Sequence, residues 1–87
     1  MKVKEGEYMD YHHLKILPEY FEAVIEGKKK FEIRKNDRDY KVGDGIFLNE
    51  FDGEKYTGES LLVFITYILQ GGQYGLEKDY VIMSIEK

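Results

Sequence analysis

A lysine, a glutamate and an arginine lie close together in the stretch "GKKKFEIR", Gly27 to Arg34. Arginine offers a rigid fork of donors that fits a phosphate or a carboxylate, and lysine offers a mobile positive charge. Glutamate accepts hydrogen bonds from the exocyclic amino groups of nucleic-acid bases. Lys29, Glu32 and Arg34 therefore have the chemistry to hold a nucleotide-like ligand. On an exposed strand, Glu32 and Arg34 would form only a surface salt bridge, and the residue types alone do not separate the two interpretations.

Positive charge is concentrated around this stretch. Residues 28–41 contain seven basic and three acidic residues, a net charge of +4, although the whole chain carries −4. The remaining residues therefore carry −8. Lys30, Lys35 and Arg38 are the predicted phosphate-steering residues of this segment. A solvated surface loop is the alternative interpretation of such a basic segment.

Three aromatic residues outside this stretch are further candidates for ligand contacts. His12 shares a strand face with Leu14, so it points either into the core, where a backbone carbonyl would satisfy it, or into a ligand cleft. Tyr40 and Tyr74 lie beside glycine-containing loops and have the rings needed to stack on an unpaired base.

The sequence predicts no metal site and no cofactor. It contains no cysteine, which excludes disulfides, thiol catalysis and cysteine-based zinc sites. The two histidines, His12 and His13, are adjacent and point to opposite faces of a strand, so they do not form a metal site by themselves. The glycine-rich "QGGQYG" lacks the lysine that a phosphate-binding loop needs.

The periodicity of the apolar residues predicts the elements that position these side chains. "YHHLKI" alternates as a half-buried strand does, with His12, Leu14 and Ile16 on one face. From Pro18 the apolar residues recur at helical spacing, which predicts a helix of about ten residues that ends at Gly27.

Period-two alternation resumes directly after the helix. In "KFEIRK" we expect Phe31 and Ile33 to face inward, and Glu32 and Arg34 to face outward together. By the same reasoning Lys15, on the first strand, lies on the outer face.

Three more strands complete the predicted domain. "IFLNEF" is followed by an Asp-Gly hairpin turn, by the long central strand "SLLVFITYIL", whose apolar run indicates that both faces are covered, and by the last strand "YVIMSIEK". The predicted fold class is therefore mainly β (α+β), a small five-stranded curled sheet or barrel with one helix after the first strand. Residues 1–10 are predicted to form a loose segment before a single domain over residues 11–87.

The sequence also predicts where the protein is found. No apolar run approaches the roughly 20 residues of a membrane span. The first ten residues lack the apolar stretch of a signal peptide. We therefore expect a cytoplasmic protein with no membrane partner.

The stretch "GKKKFEIR" fits G-x-K-x-x-E-x-R, the signature of the ASCH domain, through Gly27, Lys29, Glu32 and Arg34. With "YTGE", "ITYILQGG" and "YVIMSI", the chain from residue 11 to residue 85 resembles a compact bacterial and phage ASCH-like family. The resemblance implies a PUA-like pseudo-barrel with a cleft between barrel and helix. The signature residues would face that cleft, and RNA or a nucleotide-like small molecule would bind there.

The same resemblance leaves other functions open. Some small ASCH proteins are amidohydrolases that deacetylate N4-acetylcytidine with the signature lysine, a threonine and a later glutamate. Lys29 matches that lysine, Glu32 stands in place of the threonine, and Glu77 is the acid nearest the third position. If the chain is an enzyme, Lys29 and Glu32 are the catalytic candidates, but a binding module is favoured. A protein-interaction module, a monomer or a weak homodimer formed through an edge strand, is the third interpretation.

Overall fold

A computed structural model describes residues 9–87, so most of the predicted loose segment lies outside the described residues. The described chain forms five strands and one helix in the predicted order. Their bounds are β1 Tyr11–Ile16, α1 Pro18–Ile25, β2 Phe31–Lys35, β3 Gly45–Phe51, β4 Tyr56–Gln70 and β5 Tyr80–Glu86. Within residues 9–87, no helix has the length and apolar character needed to cross a membrane.

The five strands form one curled sheet with the order β1-β3-β4-β5-β2. β1 runs parallel to β3, and the other neighbours are antiparallel. The sheet curls into a half-barrel whose two open edges are β1 and β2, and α1 connects these edge strands. The predicted mainly β fold, with one short helix after the first strand, is confirmed.

The inner face of the half-barrel and one side of α1 form the hydrophobic core. β1 alternates as predicted, with His12, Leu14 and Ile16 buried and the residues between them exposed. The helix has only eight residues, which is too short for stability in isolation, so it depends on the burial of Phe21 and Val24. The apolar residues of this core are Leu14, Ile16, Phe21, Val24, Tyr40, Ile46, Leu48, Val63, Ile65, Val81, Met83 and Ile85.

The helix ends where the sequence predicts, in a turn that leads the chain into β2. Gly27 adopts a φ of +76°, a conformation that side chains with a Cβ disfavour. Its N–H donates to the carbonyl of Val24 at 3.0 Å, and the N–H of Lys28 donates to the carbonyl of Ala23 at 2.9 Å. These bonds satisfy the last carbonyls of the helix and fix the direction in which the lysine-rich stretch leaves it.

The long strand β4 is covered less completely than its sequence predicts. Val63 and Ile65 are buried, but Tyr67 is 62% exposed. A shift in the pairing with β5 between Ile65 and Tyr67 changes which face the following residues occupy. The apolar run therefore reflects one buried face, an irregularity and a half-exposed outer face, and the prediction of two covered faces is wrong at Tyr67.

Gly71, at the start of the β4–β5 loop, allows a close approach between backbones. A Cβ at this position would lie 1.9 Å from the carbonyl oxygen of Glu77 and 2.4 Å from that of Tyr80. We expect Gly71→Ala to lower the free energy of unfolding by about 1–3 kcal/mol or more, because the backbone must move. Gly75→Ala in the same loop is the control, since it meets no atom within 4 Å and bears only the cost of its positive φ. Equal losses of stability in chemical denaturation would contradict the close-approach interpretation.

The β3–β4 turn gives stability a pH-dependent contribution. The backbone N–H groups of Lys55 and Glu54 donate to the Asp52 side chain and hold the pKa of its carboxyl below the usual range. The unfolded pKa is about 3.9, so this stabilisation is complete above about pH 4 and is lost as the pH falls through the lower folded pKa. Asp52→Asn should reduce the melting temperature at pH 7, with a difference that shrinks below pH 4. Asp79→Asn is the matched control, because no side-chain hydrogen bond of Asp79 occurs within residues 9–87. A difference for Asp52→Asn that stays constant down to pH 2 would contradict this account.

Candidate functional site

A pocket of about 600 Å³ opens at the gap between the two edge strands. Its walls come from the end of β1, the first turns of α1, the turn after α1 and the whole exposed side of β2. Four apolar side chains on this wall are between 43% and 49% exposed, namely Leu17, Tyr20, Phe31 and Ile33. Half-exposed apolar and aromatic groups around a concavity are the usual lining of a ligand pocket.

Glu32 lies at the centre of the polar part of this pocket and is buried. Its residue exposure is 3%, and it faces inward beside Met83 of β5. Phe31 and Ile33 are the exposed residues of β2, so the predicted assignment of inward and outward faces on this strand is wrong. The inward position is tolerated because two cations neutralise the carboxylate and satisfy its oxygens.

The carboxylate of Glu32 joins Lys29 to Arg34. Oε1 accepts hydrogen bonds from Nε of Arg34 at 3.0 Å and from its Nη2 at 2.7 Å. Oε2 accepts a hydrogen bond from Nζ of Lys29. A carboxylate has about four acceptor positions, and three are occupied here in a side chain that is 4% exposed. Glu32 therefore holds the two cations in place and is closed to a ligand's amino group.

Arg34 also links the two edges of the half-barrel. Its Nη2 donates to the carbonyl of Lys15 at the end of β1, at 2.8 Å. On the opposite side of the carboxylate, Nζ of Lys29 donates to the carbonyl of Phe31 at 2.6 Å and lies 4.9 Å from the centre of its ring. Both cations are thus fixed by two kinds of acceptor each. Within residues 9–87, Nη1 of Arg34 and the third N–H of Lys29 have no hydrogen-bond partner.

The charge of the pocket is positive. Lys15, Lys28, Lys29 and Arg34 line it together with Glu32, a formal net charge of +3. Sequence reasoning placed Lys15 on the outer face, which is correct, but missed that this part of β1 borders the pocket. Tyr20 was also missed, although its exposed position on a short amphipathic helix is a signal that the sequence contains.

The predicted phosphate-steering residues lie away from this pocket. Lys30, Lys35 and Arg38 are exposed, and none of them lines it. Arg38 lies beside an acidic neighbour, with its Nε 3.8 Å from Oδ1 of Asp37. The structure therefore brings Lys29, Glu32 and Arg34 together and leaves the other three basic residues at the surface.

His12 belongs to a second buried polar cluster. Its Nε2 lies 2.8 Å from Oδ2 of Asp44, and its ring packs edge-on against Tyr40 with centroids 4.8 Å apart. Asp44 also accepts hydrogen bonds from the N–H groups of Asp10 and Lys41. The partner of His12 is therefore a carboxylate, and not the backbone carbonyl expected from the sequence, because the turn before β3 places Asp44 beneath the ring.

The two candidate stacking tyrosines have opposite environments. Tyr40 is 5% exposed, and burial raises the pKa of its hydroxyl, so its ring belongs to the core. Tyr74 is 89% exposed and adopts a φ of +52° at the tip of the β4–β5 loop. Tyr74 is accessible to a ligand but does not line the pocket. Across residues 9–87, no group of three or more His, Cys, Asp or Glu side chains is placed to hold a metal ion.

Comparison with known proteins gives one family and one relative. The chain matches the family described as "Domain of unknown function (DUF3850)" over residues 11–85. It is 39% identical over 72 residues to the "Uncharacterized 12.9 kDa protein in GpA 3'region" of Escherichia phage P2. The matched region is 83% of this chain and 64% of that phage protein, so the chain spans just under two thirds of the relative's length. Because the family match contains all five strands and the helix, the chain belongs to the DUF3850 family.

Proposed function

We propose that this chain is an ASCH-type, PUA-like module that binds RNA or a nucleotide-like ligand in the pocket between β1, α1 and β2. The observation that supports the proposal most strongly is the convergence of Lys29, Glu32 and Arg34 in a pocket with an aromatic wall. A volume of about 600 Å³ is within the range of small-molecule sites in proteins. The same three residues carry the sequence signature.

The pocket offers a nucleotide two kinds of contact. Phe31 and Tyr20 present apolar and aromatic surface on which a planar base can rest. Lys29 and Arg34 present positively charged donors to phosphate or carbonyl oxygens. The role of reading an exocyclic amine does not fall to Glu32, because this carboxylate is already occupied by the two cations.

The structure gives less support to the two other functions. Among the residues that line the pocket, Glu32 is the only carboxylate, and it is committed to Lys29 and Arg34. Glu77, the candidate third residue of an amidohydrolase, lies in the exposed β4–β5 loop and does not line the pocket. A hydrolase would require a base that this arrangement does not supply. The concavity beneath the signature residues also favours a ligand site over a flat protein-interaction surface.

Removing the pocket lysine should weaken ligand binding. Lys29→Met deletes one charge-assisted donor, whose loss costs about 1.5–3 kcal/mol, and should reduce affinity for a short single-stranded RNA or a nucleotide about 10- to 100-fold. Arg34 still pairs with Glu32 in this variant, so the fold should persist. Affinity is measured by calorimetry at two salt concentrations, and the melting temperature is measured alongside. Lys78→Ala is the control, since this exposed lysine does not line the pocket. Equal affinities for the two variants would remove Lys29 from the site.

Glu32 should matter to stability far more than a surface carboxylate does. Glu32→Ala leaves two partly buried cations without their shared partner, and loss of one member of a buried ion pair costs about 3–5 kcal/mol. Glu26→Ala is the matched control, because Glu26 pairs with Lys28 at the surface, where such pairs contribute at most about 1 kcal/mol. Urea denaturation measures both values. A loss for Glu32→Ala no larger than that for Glu26→Ala would show that the buried cluster does not stabilise the fold.

A further inference from the structure

The donors in the pocket are all cationic, and this restricts the chemical class of ligand. Both oxygens of Glu32 are occupied, so the cluster presents the remaining N–H groups of Lys29 and Arg34 and no charged acceptor. Lys15 and Lys28 add positive charge at the wall. A ligand must therefore bring negatively charged acceptor atoms to this point, and a site with two converging cations favours a dianion over a monoanion.

The surface outside the pocket does not offer a track for a nucleic-acid strand. Arg38 lies 3.8 Å from the carboxylate of Asp37, and Lys41 lies 3.2 Å from that of Asp39. The charge of the basic segment beyond β2 is thus largely balanced by its own acids, and the whole chain carries −4. Proteins that follow a strand use a row of uncompensated cations, each of which neutralises one phosphate.

The walls of the pocket suit a compact ligand with a flat apolar part. Tyr20 and Phe31 are about half exposed beside the cations. The hydrogen bond from Arg34 to the carbonyl of Lys15 joins the edge strands at the polar end of the pocket. Positive charge and aromatic surface are therefore confined to one small volume, which has room for a single nucleotide.

From these observations we propose that the pocket recognises a phosphate monoester attached to a nucleoside. This inference rests on the proposed function and specifies its ligand. A phosphate monoester carries about −1.5 to −2 charges at pH 7, whereas an internal phosphodiester carries −1. A free nucleoside monophosphate and the phosphorylated end of an RNA share this group, and both satisfy Lys29 and Arg34. An internal stretch of RNA does not.

The test compares ligands that differ only at the phosphate. Calorimetry at pH 7.5 and low salt measures the affinities of cytidine, cytidine 5′-monophosphate, cytidine 3′-monophosphate and the methyl ester of the 5′-monophosphate, and the series is repeated with adenosine. We expect at least one monophosphate to bind at least tenfold more tightly than its nucleoside and its methyl diester. The monoester's second pKa is about 6, so this preference should decline as the pH falls from 7.5 to 5.5.

Two variants establish whether Lys29 and Arg34 produce the preference. Arg34→Lys keeps the positive charge but lacks the planar fork, and Lys29→Met lacks the charge, so each should reduce the monoester preference at least fivefold. Arg38→Ala is the control with one positive charge fewer outside the pocket, and it should keep the preference. Melting temperatures of all three variants show that they are folded.

Short RNAs distinguish the two sources of the monoester and separate this inference from the proposed function. A cytidine hexamer with a terminal phosphate that binds more tightly than the mononucleotide identifies an RNA end, and the reverse order identifies a free nucleotide. If unphosphorylated and phosphorylated hexamers bind equally and both weaken in Lys29→Met, the proposed function stands and the monoester inference is overturned. If no nucleoside, nucleotide or RNA binds, the proposed function itself falls.

Discussion

The buried carboxylate of Glu32 is the group on which the candidate site depends. It lies on the inner face of an edge strand, where an unpaired charge would be costly, and it is stabilised by Lys29 and Arg34. Arg34 in turn donates to the carbonyl of Lys15 and so connects the strand at one edge of the half-barrel to the strand at the other. The interaction that closes the fold is therefore also the one that fixes two cations beside a pocket.

A second buried carboxylate has a comparable role elsewhere in the sheet. Asp44 accepts hydrogen bonds from His12 and from two backbone N–H groups, and it fixes the start of β1 against the turn that opens β3. This cluster has a structural explanation that needs no ligand, since its described polar atoms are paired. The contrast with the pocket is informative, because Lys29 and Arg34 keep N–H groups without partners among the described residues.

Local sequence signals predicted the elements well and their surroundings less well. Alternation in "YHHLKI" predicted which residues of β1 are buried, and Gly27 predicted the helix end, because each depends on local geometry. The partner of His12 was not predictable, since Asp44 is distant in the chain and is brought beneath the ring by the parallel pairing of β1 with β3. Tyr67 was misjudged because an irregularity in strand pairing leaves no periodic signal.

The sequence by itself determined that Glu32 and Arg34 share one face of a strand, and that Lys29 lies at the turn before it, because a strand alternates strictly. Only the tertiary structure decided that this face is the inner one. Periodicity defines two faces but does not say which of them is enclosed, and hydrophobicity favoured Phe31 and Ile33. The curl of the sheet and the mutual neutralisation of three charges reversed that preference, and so converted a charged stretch into the polar end of a pocket.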